Sequence, residues 1–177
     1  YEKPELETLG LFLERDSVFI DIGANFGLYT LNASKRIGTN GKIICFEPFA
    51  QNFDSLKHNI SLNNLLNVKI EKLAVGEKEG NINIYYDEKE KNLGMVSATP
   101  IDTGTKEEVG VVSLDSYLKK EAFTKVDLIK IDVEGFEYSV LMGMQYTLAT
   151  YYPSLLIEVL DETNRNNSRK VDDLLKG

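Results

Sequence analysis

The chain has one cysteine, one histidine, no tryptophan and four prolines among 177 residues. A lone cysteine, Cys45, excludes an internal disulfide and a multi-cysteine zinc site, and a lone histidine, His58, excludes a histidine-rich metal centre. No metal ligand set is assigned. Basic charge is scarce too: 20 Lys plus Arg stand against 28 Asp plus Glu, a formal net charge of -8. Nucleic acid and anionic membrane surfaces both need a basic footprint, so neither is an expected partner. No apolar run approaches the roughly 20 residues that span a bilayer, and the first residues lack a basic-then-apolar secretory pattern. A cytoplasmic location is the expectation.

What is present is an ordinary globular composition, 42% hydrophobic and 27% charged, enough for a single domain over residues 1–177. Short β-branched apolar runs alternate with helix-period segments, the pattern of βαβ units around a mainly parallel sheet, so the fold class is α/β. Leu6, Leu9, Phe12 and Leu13 predict a short amphipathic helix over residues 5–14. Ser17 to Ile22 is the first strand, ended by Gly23, and the spacing predicts a helix from Phe26 to Ile37. Lys42 to Phe46 is a second strand, Phe49, Phe53, Leu56 and Ile60 mark the next helix, and Val68 to Val75 reads as one third strand.

Period two in Asn81-Ile82-Asn83-Ile84-Tyr85, answered by Val109 to Val112, breaks the alternation and predicts an antiparallel insertion with a mobile loop over residues 87–107. Ser113 is placed to cap a short helix, Val126 to Val133 is a fourth core strand, and one helix is predicted from Phe136 to Leu148. Leu155 to Val159 is the fifth strand, and Val171, Leu174 and Leu175 mark a last helix.

Ligands of an open parallel sheet bind outside the carboxyl ends of its strands. Here those ends carry Asp21-Ile22-Gly23-Ala24-Asn25-Phe26-Gly27, Glu47-Pro48, Ala74-Val75-Gly76, Asp132-Val133-Glu134-Gly135 and Glu158. Gly23 and Gly27 remove side chains where a ligand would approach the backbone, and the helix start beyond them offers N–H groups to a carboxylate. Neither the dinucleotide G-x-G-x-x-G nor a Gly-Lys-Ser/Thr phosphate loop is present. Glu47, about twenty residues on, is placed to accept hydrogen bonds from both hydroxyls of a ribose. S-adenosylmethionine fits this pattern, its ribose on Glu47, its amino and sulfonium groups near Asp21 and Asp132, and its carboxylate at the helix start.

Blander readings stand beside these. Glycine pairs after a strand often make only a tight turn, Asp127 and Asp132 can bracket a strand, and Glu158 can be a structural ion-pair partner. His58 falls on the polar face of its helix, Cys45 reads as a small core residue, and Tyr85-Tyr86 and Tyr151-Tyr152 as ordinary packing. An NAD-dependent oxidoreductase is the alternative function, since a ribose of NAD would suit Glu47 equally; a cofactor-binding relative without catalytic activity is another.

Taken together, these segments resemble the FkbM family of S-adenosylmethionine-dependent methyltransferases, within the class I Rossmann-like enzymes. The resemblance is carried by Val18 to Gly27, Phe46-Glu47-Pro48, Leu73 to Gly76, Val112 to Asp115, Ile129 to Glu137 and Leu156 to Val159, in that order. Lys130-Ile131-Asp132-Val133-Glu134-Gly135-Phe136-Glu137 is the most specific of them. The resemblance implies a parallel sheet of order 3-2-1-4-5 with helices on both faces. It also implies S-adenosyl-L-methionine as cofactor and methyl transfer to a hydroxyl of a sugar, polyketide-like or other small-molecule or glycan acceptor.

By the same resemblance Asp21, Gly23, Ala24, Asn25, Gly27, Glu47, Pro48 and Ala74 are the cofactor-binding residues, with Asp132 at the methionine end. Asp132, Glu134 and Glu158 are the candidate catalytic bases, Asp132 named first, and Asn92 to Ser97 is a loose match near the acceptor side. Class I members usually finish with two further strands, so the final hairpin is expected to be missing, the domain C-terminally incomplete, and the last strand exposed unless an omitted segment, a second copy of the chain or the inserted hairpin covers it.

Overall fold

The computed structural model describes residues 3–86, 104–159 and 165–176. In chain order the elements are α1 (Lys3–Phe12), β1 (Val18–Ile22), α2 (Leu28–Ile37), β2 (Lys42–Phe46), α3 (Ala50–Leu62), β3 (Val68–Glu71), β4 (Ala74–Val75), β5 (Gly80–Tyr86), β6 (Thr105–Val112), α4 (Leu114–Lys120), β7 (Leu128–Ile131), α5 (Glu137–Met142), α6 (Gln145–Tyr151), β8 (Ser154–Ile157) and α7 (Arg165–Lys176).

A five-stranded sheet of order β3-β2-β1-β7-β8 forms the centre, and all its neighbouring strands are parallel. This is the order and direction expected, with β7 and β8 as the fourth and fifth core strands. Alternate residues of each strand face opposite layers. Phe19, Ile43, Cys45 and Leu128 pack on Leu9 of α1 and Leu13 just after it, on Tyr29, Ala33 and Ile37 of α2, and on Leu56 of α3. Ile20, Ile22, Ile44, Phe46, Ile129 and Ile131 pack on Leu114 and Leu118 of α4, Val140 and Leu141 of α5, and Val171 of α7. Strands covered on both faces favour apolar residues, and the buried positions of β1, β2 and β7 are apolar except at Asp21 and Lys130.

Three boundaries differ from the sequence reading. The expected single strand from Val68 to Val75 is two. Its last rung to β2 is the Glu47 N–H donating to the Glu71 carbonyl; Pro48 has no N–H to continue, and Ala74 and Val75 instead pair in parallel with Val111 and Val112. They thereby join a second sheet, β4-β6-β5, in which β5 and β6 form the expected antiparallel pair. That pairing begins at Thr105, so β6 takes in residues assigned to the expected 87–107 loop, and positions 87–103 of that loop lie outside the described residues.

The helix predicted from Phe136 to Leu148 is broken into α5 and α6 at Gly143. A Cβ there would lie 1.9 Å from the Gly76 carbonyl oxygen. Asp115 caps the restarted helix, accepting from the Tyr146 and Thr147 N–H groups at 2.9 and 2.8 Å. Ser113 caps α4 as expected, accepting from the Ser116 N–H at 3.2 Å. No helix among the described residues is long and apolar enough to cross a membrane.

Candidate functional site

β1 lies between β2 and β7, so the direction of chain progression across the sheet reverses there and leaves a crevice at the carboxyl ends of the strands. A cleft opens at that point, about 730 Å³ counting the open solvent at its mouth. Gly23 and Asn25 line it from the loop after β1, Glu47 and Pro48 from the loop after β2, Ala74 from β4, and Asp132 and Glu134 from the loop after β7. One cleft therefore gathers seven of the residues singled out from sequence. Ala24, Gly27, Asp21 and Glu158 are not among its lining residues.

Two glycines shape the first loop for reasons of packing. Gly23 has φ +76°, and a Cβ on it would lie 1.8 Å from the Asp132 carbonyl oxygen. Gly27 has φ +94°, and its Cβ would lie 2.6 Å from Leu56 Cδ1. Close approach is thus demanded first by the protein's own backbone and core. The Gly23 and Ala24 N–H groups both donate to the Phe46 carbonyl at 2.9 and 3.1 Å, which ties the loop to the end of β2.

Glu47 is 5% exposed. Its Oε2 accepts from the Asn25 N–H at 2.8 Å and its Oε1 from the Phe49 N–H at 3.0 Å. Burial pushes this carboxyl up to about 7, against the opposing pull of the Phe49 and Asn25 amides. Each oxygen keeps a further acceptor direction, the requirement for holding two vicinal hydroxyls. Pro48, Leu73, Ala74, Ile82 and Ile84 supply an apolar wall near it.

Asp21 lies on the opposite face of the sheet, fully buried, level with Cys45 and Lys130 on the flanking strands. Its Oδ2 accepts from the Thr30 hydroxyl at 2.7 Å, and that hydroxyl also contacts the Cys45 sulfur at 3.0 Å. The Thr30 backbone donates to Asp21 as well, so part of the α2 N-terminus faces the protein's own carboxylate. Burial pushes the Asp21 carboxyl up, with Lys130 and Thr30 opposing. The other oxygen, Oδ1, has no hydrogen-bond partner and lies 3.8 Å from Lys130 Nζ. Cys45 is a buried free thiol, as read, and burial raises it well above its usual range.

Lys130 is the residue that sequence reasoning passed over. It is 4% exposed, within a strand otherwise made of Leu128, Ile129 and Ile131. Its Nζ donates to Asp132 Oδ2 at 3.1 Å and to the Gly23 carbonyl at 3.3 Å, 4.7 Å from the centre of the Tyr29 ring. Burial alone would pull its ammonium down, but Asp21 and Asp132 outweigh that and hold it above the ordinary lysine range. A lysine inside an apolar strand was the available signal, since a buried cation requires partners.

Beyond Asp132 the chain turns through Glu134 at φ +48° and Gly135 at φ +95°. Buried Glu137 accepts from the Gly135 N–H at 2.9 Å, and the Asn167 side chain of α7 holds its other oxygen. Glu134 is half-buried and pushed up to about 7 by desolvation first, then by Asp132, Glu158 and Glu137. Among the described residues its carboxyl has no hydrogen-bond partner. Glu158, on the segment after β8, is exposed. Ile22, Phe46, Asn52, Val75, Val133 and Phe136 complete the lining; Asn52 and Phe136 carry no site expectation from sequence, because nothing in their spacing tells which way a helix face or loop turns. Asn92 to Ser97 lie outside the described residues. Asp127 brackets its strand, accepting from the Val18 N–H at 2.6 Å and pairing with Lys125, and His58 is exposed.

The family profile described as Methyltransferase FkbM domain matches residues 21–176. The chain is 28% identical over 164 residues to "Methyltransferase 1" of Beauveria bassiana (strain ARSEF 2860), covering 82% of this chain and 66% of that protein, so it spans just under two thirds of this relative. Among solved structures it is similar to the methyltransferase FkbM of Methylobacillus flagellatus KT, with a TM-score of 0.64 at 20% identity over 94% of this chain and 38% of that one. Streptococcus mutans SMU.1697c, solved in complex with SAH, has a TM-score of 0.59 at 12% identity, over 98% of this chain and 80% of its own. The two structures share the fold.

Proposed function

This chain belongs to the FkbM methyltransferase family, and from that premise we propose that it is an S-adenosylmethionine-dependent enzyme methylating a hydroxyl oxygen of a small-molecule or glycan acceptor, of the sugar or polyketide-like class. The observation that carries the reading is one cleft lined by a buried, doubly anchored Glu47 from the β2 side of β1 and by Asp132 and Glu134 from the β7 side. The residues fit the cofactor: Glu47 takes the ribose hydroxyls, Pro48, Ala74 and the neighbouring apolar wall take the base, and Gly23 and Asn25 line the passage between the two sides. Asp132 takes the cationic methionine end, over the buried layer of Asp21 and beside the turn formed by Ala24 and Gly27. When bound, S-adenosylmethionine supplies an electrophilic methyl group on a sulfonium.

The protein's part is to orient the acceptor hydroxyl, exclude water and take a proton. An alcohol is a weak nucleophile until its proton begins to leave, and a general base contributes typically ~10²–10⁴-fold. Of the three candidate carboxyls, Asp132 has one oxygen engaged by Lys130 and Glu158 does not line the cleft. Glu134 lines it, and its carboxyl is held near neutrality, so Glu134 is assigned the base. The buried free thiol of Cys45 is compatible with the cytoplasm. Among the described residues β8 is an edge strand of the main sheet, and pairing of a second copy of the chain there is part of this proposal.

Calorimetry with S-adenosylmethionine, S-adenosylhomocysteine and NAD, followed by transfer of a labelled methyl group to hydroxylated sugars and polyketides, tests this reading. Binding of the first two and labelling of an acceptor oxygen are expected. Binding of NAD without S-adenosylmethionine would reverse the assignment in favour of an oxidoreductase.

A further inference from the structure

We propose that Lys130 is a positioning residue, which from behind the sheet fixes the two groups at the methionine end of the cleft, the Asp132 carboxylate and the Gly23 backbone. The proposal rests on the S-adenosylmethionine reading. β7 is buried at every position, so an apolar side chain of lysine's length would satisfy its packing, and a cation there must be kept for what it touches. An ammonium has three donor directions. Two go to cleft-lining residues, Asp132 Oδ2 at 3.1 Å and the Gly23 carbonyl at 3.3 Å, and Asp21 Oδ1 stands 3.8 Å away.

The three carboxylate or carbonyl groups come from β1, the loop after it and the loop after β7, and none comes from the Glu47 side. With Oδ2 held, Oδ1 of Asp132 is left to accept from a cationic ligand group. With the Gly23 carbonyl held, the loop stays seated on the Asp132 backbone, where there is no room even for a Cβ. Lys130 should therefore govern affinity for the methionine portion of the cofactor and not for its nucleoside portion.

K130M alone strands Asp21 and Asp132 without a cation and is liable to unfold, so the comparison is made between D21N and K130M/D21N, both checked by thermal unfolding. Calorimetry then measures S-adenosylmethionine and adenosine separately in each. In the D21N background, loss of Lys130 is expected to weaken S-adenosylmethionine about tenfold or more, the scale of a hydrogen bond to a charged group. Adenosine affinity should change less than about twofold.

Equal losses for both ligands would make Lys130 a general structural support, and no loss for either would leave it without a role in the site; both outcomes overturn the proposal. Wild-type protein that binds adenosine but not S-adenosylmethionine would refute the cofactor reading, and the proposal with it, whereas failure in the double variant alone sinks only the assignment of Lys130.

Discussion

Glu47 and Glu134 line one cleft from either side of β1, after β2 and after β7, and both carboxyls are pushed up to about 7, yet their surroundings have little in common. At Glu47, burial is the leading cause and two backbone N–H groups resist it, each holding one oxygen. At Glu134, partial burial leads, and the like charges of Asp132, Glu158 and Glu137 push the same way. Glu47 is thus a fixed acceptor whose rotamer is locked by the loops it joins. Glu134 is a carboxyl with little to hold its proton off, on a turn strained to φ +48°. On the proposed reading, an equal proton affinity suits recognition where the oxygens are anchored, and proton transfer where they are not.

The substitution that breaks both sides at once is Gly23→Ala. Its Cβ would collide with the Asp132 carbonyl oxygen at 1.8 Å, and the φ of +76° disfavours any side chain. Since Gly23 also donates to the Phe46 carbonyl, the clash separates β7 from β1 or β1 from β2. A loss of at least about 3 kcal/mol in stability is expected, together with loss of S-adenosylmethionine binding; denaturant melts and calorimetry report the two. Wild-type stability in this variant would mean that the loop is free to move.

Glu134→Gln breaks only the reacting side. It should lower kcat by ~10²–10⁴ with the KM for S-adenosylmethionine nearly unchanged. Full turnover in E134Q would return the base to Asp132. With Glu134 as the proposed base its ionised carboxylate is the active form, and wild-type kcat/KM should rise as pH passes upward through about 7.

Glu47→Gln breaks only the other side, and adenosine affinity should fall about tenfold to a hundredfold. Hydroxyl donors favour the carboxylate, so wild-type binding of adenosine should strengthen as pH rises through about 7, with proton release below it, and E47Q should flatten that dependence. Stability runs the other way. The folded carboxyl binds its proton more tightly than an ordinary glutamate at 4.5, so this contribution to stability is complete below about 4.5 and is lost as pH rises to about 7. Urea melts across that interval should slope downward in wild type and less so in E47Q.

Much of this arrangement is legible in the sequence, and the exceptions have physical causes. The five parallel strands and their ends follow from apolar period and turn residues, because strands buried on both faces leave no other pattern. Glu47 is readable because it follows a strand and a glycine loop at a telling distance. The break at Gly143 is not readable: it depends on the Gly76 carbonyl, 67 positions earlier in the chain, arriving where only a glycine fits. Likewise, nothing local shows that Ala74 and Val75 leave β3 for β6, or that Ile82 and Ile84 face the cleft. Lys130 shows the opposite case, a charge in an apolar strand that was visible but unreadable until Asp21, Gly23 and Asp132 were brought around it.

Glu158 gives the smallest and most specific test of the contrast between the two sides. It is exposed and lines no part of the cleft, yet its charge is among those that push Glu134 up. As a catalytic group it would be missed severely; as a distant like charge it should matter only through the titration of Glu134. In Glu158→Gln the repulsion is removed, the Glu134 carboxylate forms more readily, and the rise of kcat/KM with pH should move to lower pH by less than about one unit. Solvent and salt screen a charge at that exposure, so the displacement should shrink further as ionic strength is raised. The adenosine titration governed by Glu47, whose neighbouring charges are Asp21 and Lys130, should stay where it was. A fall in kcat by two orders of magnitude in E158Q, at every pH, would instead place Glu158 at the reacting atoms.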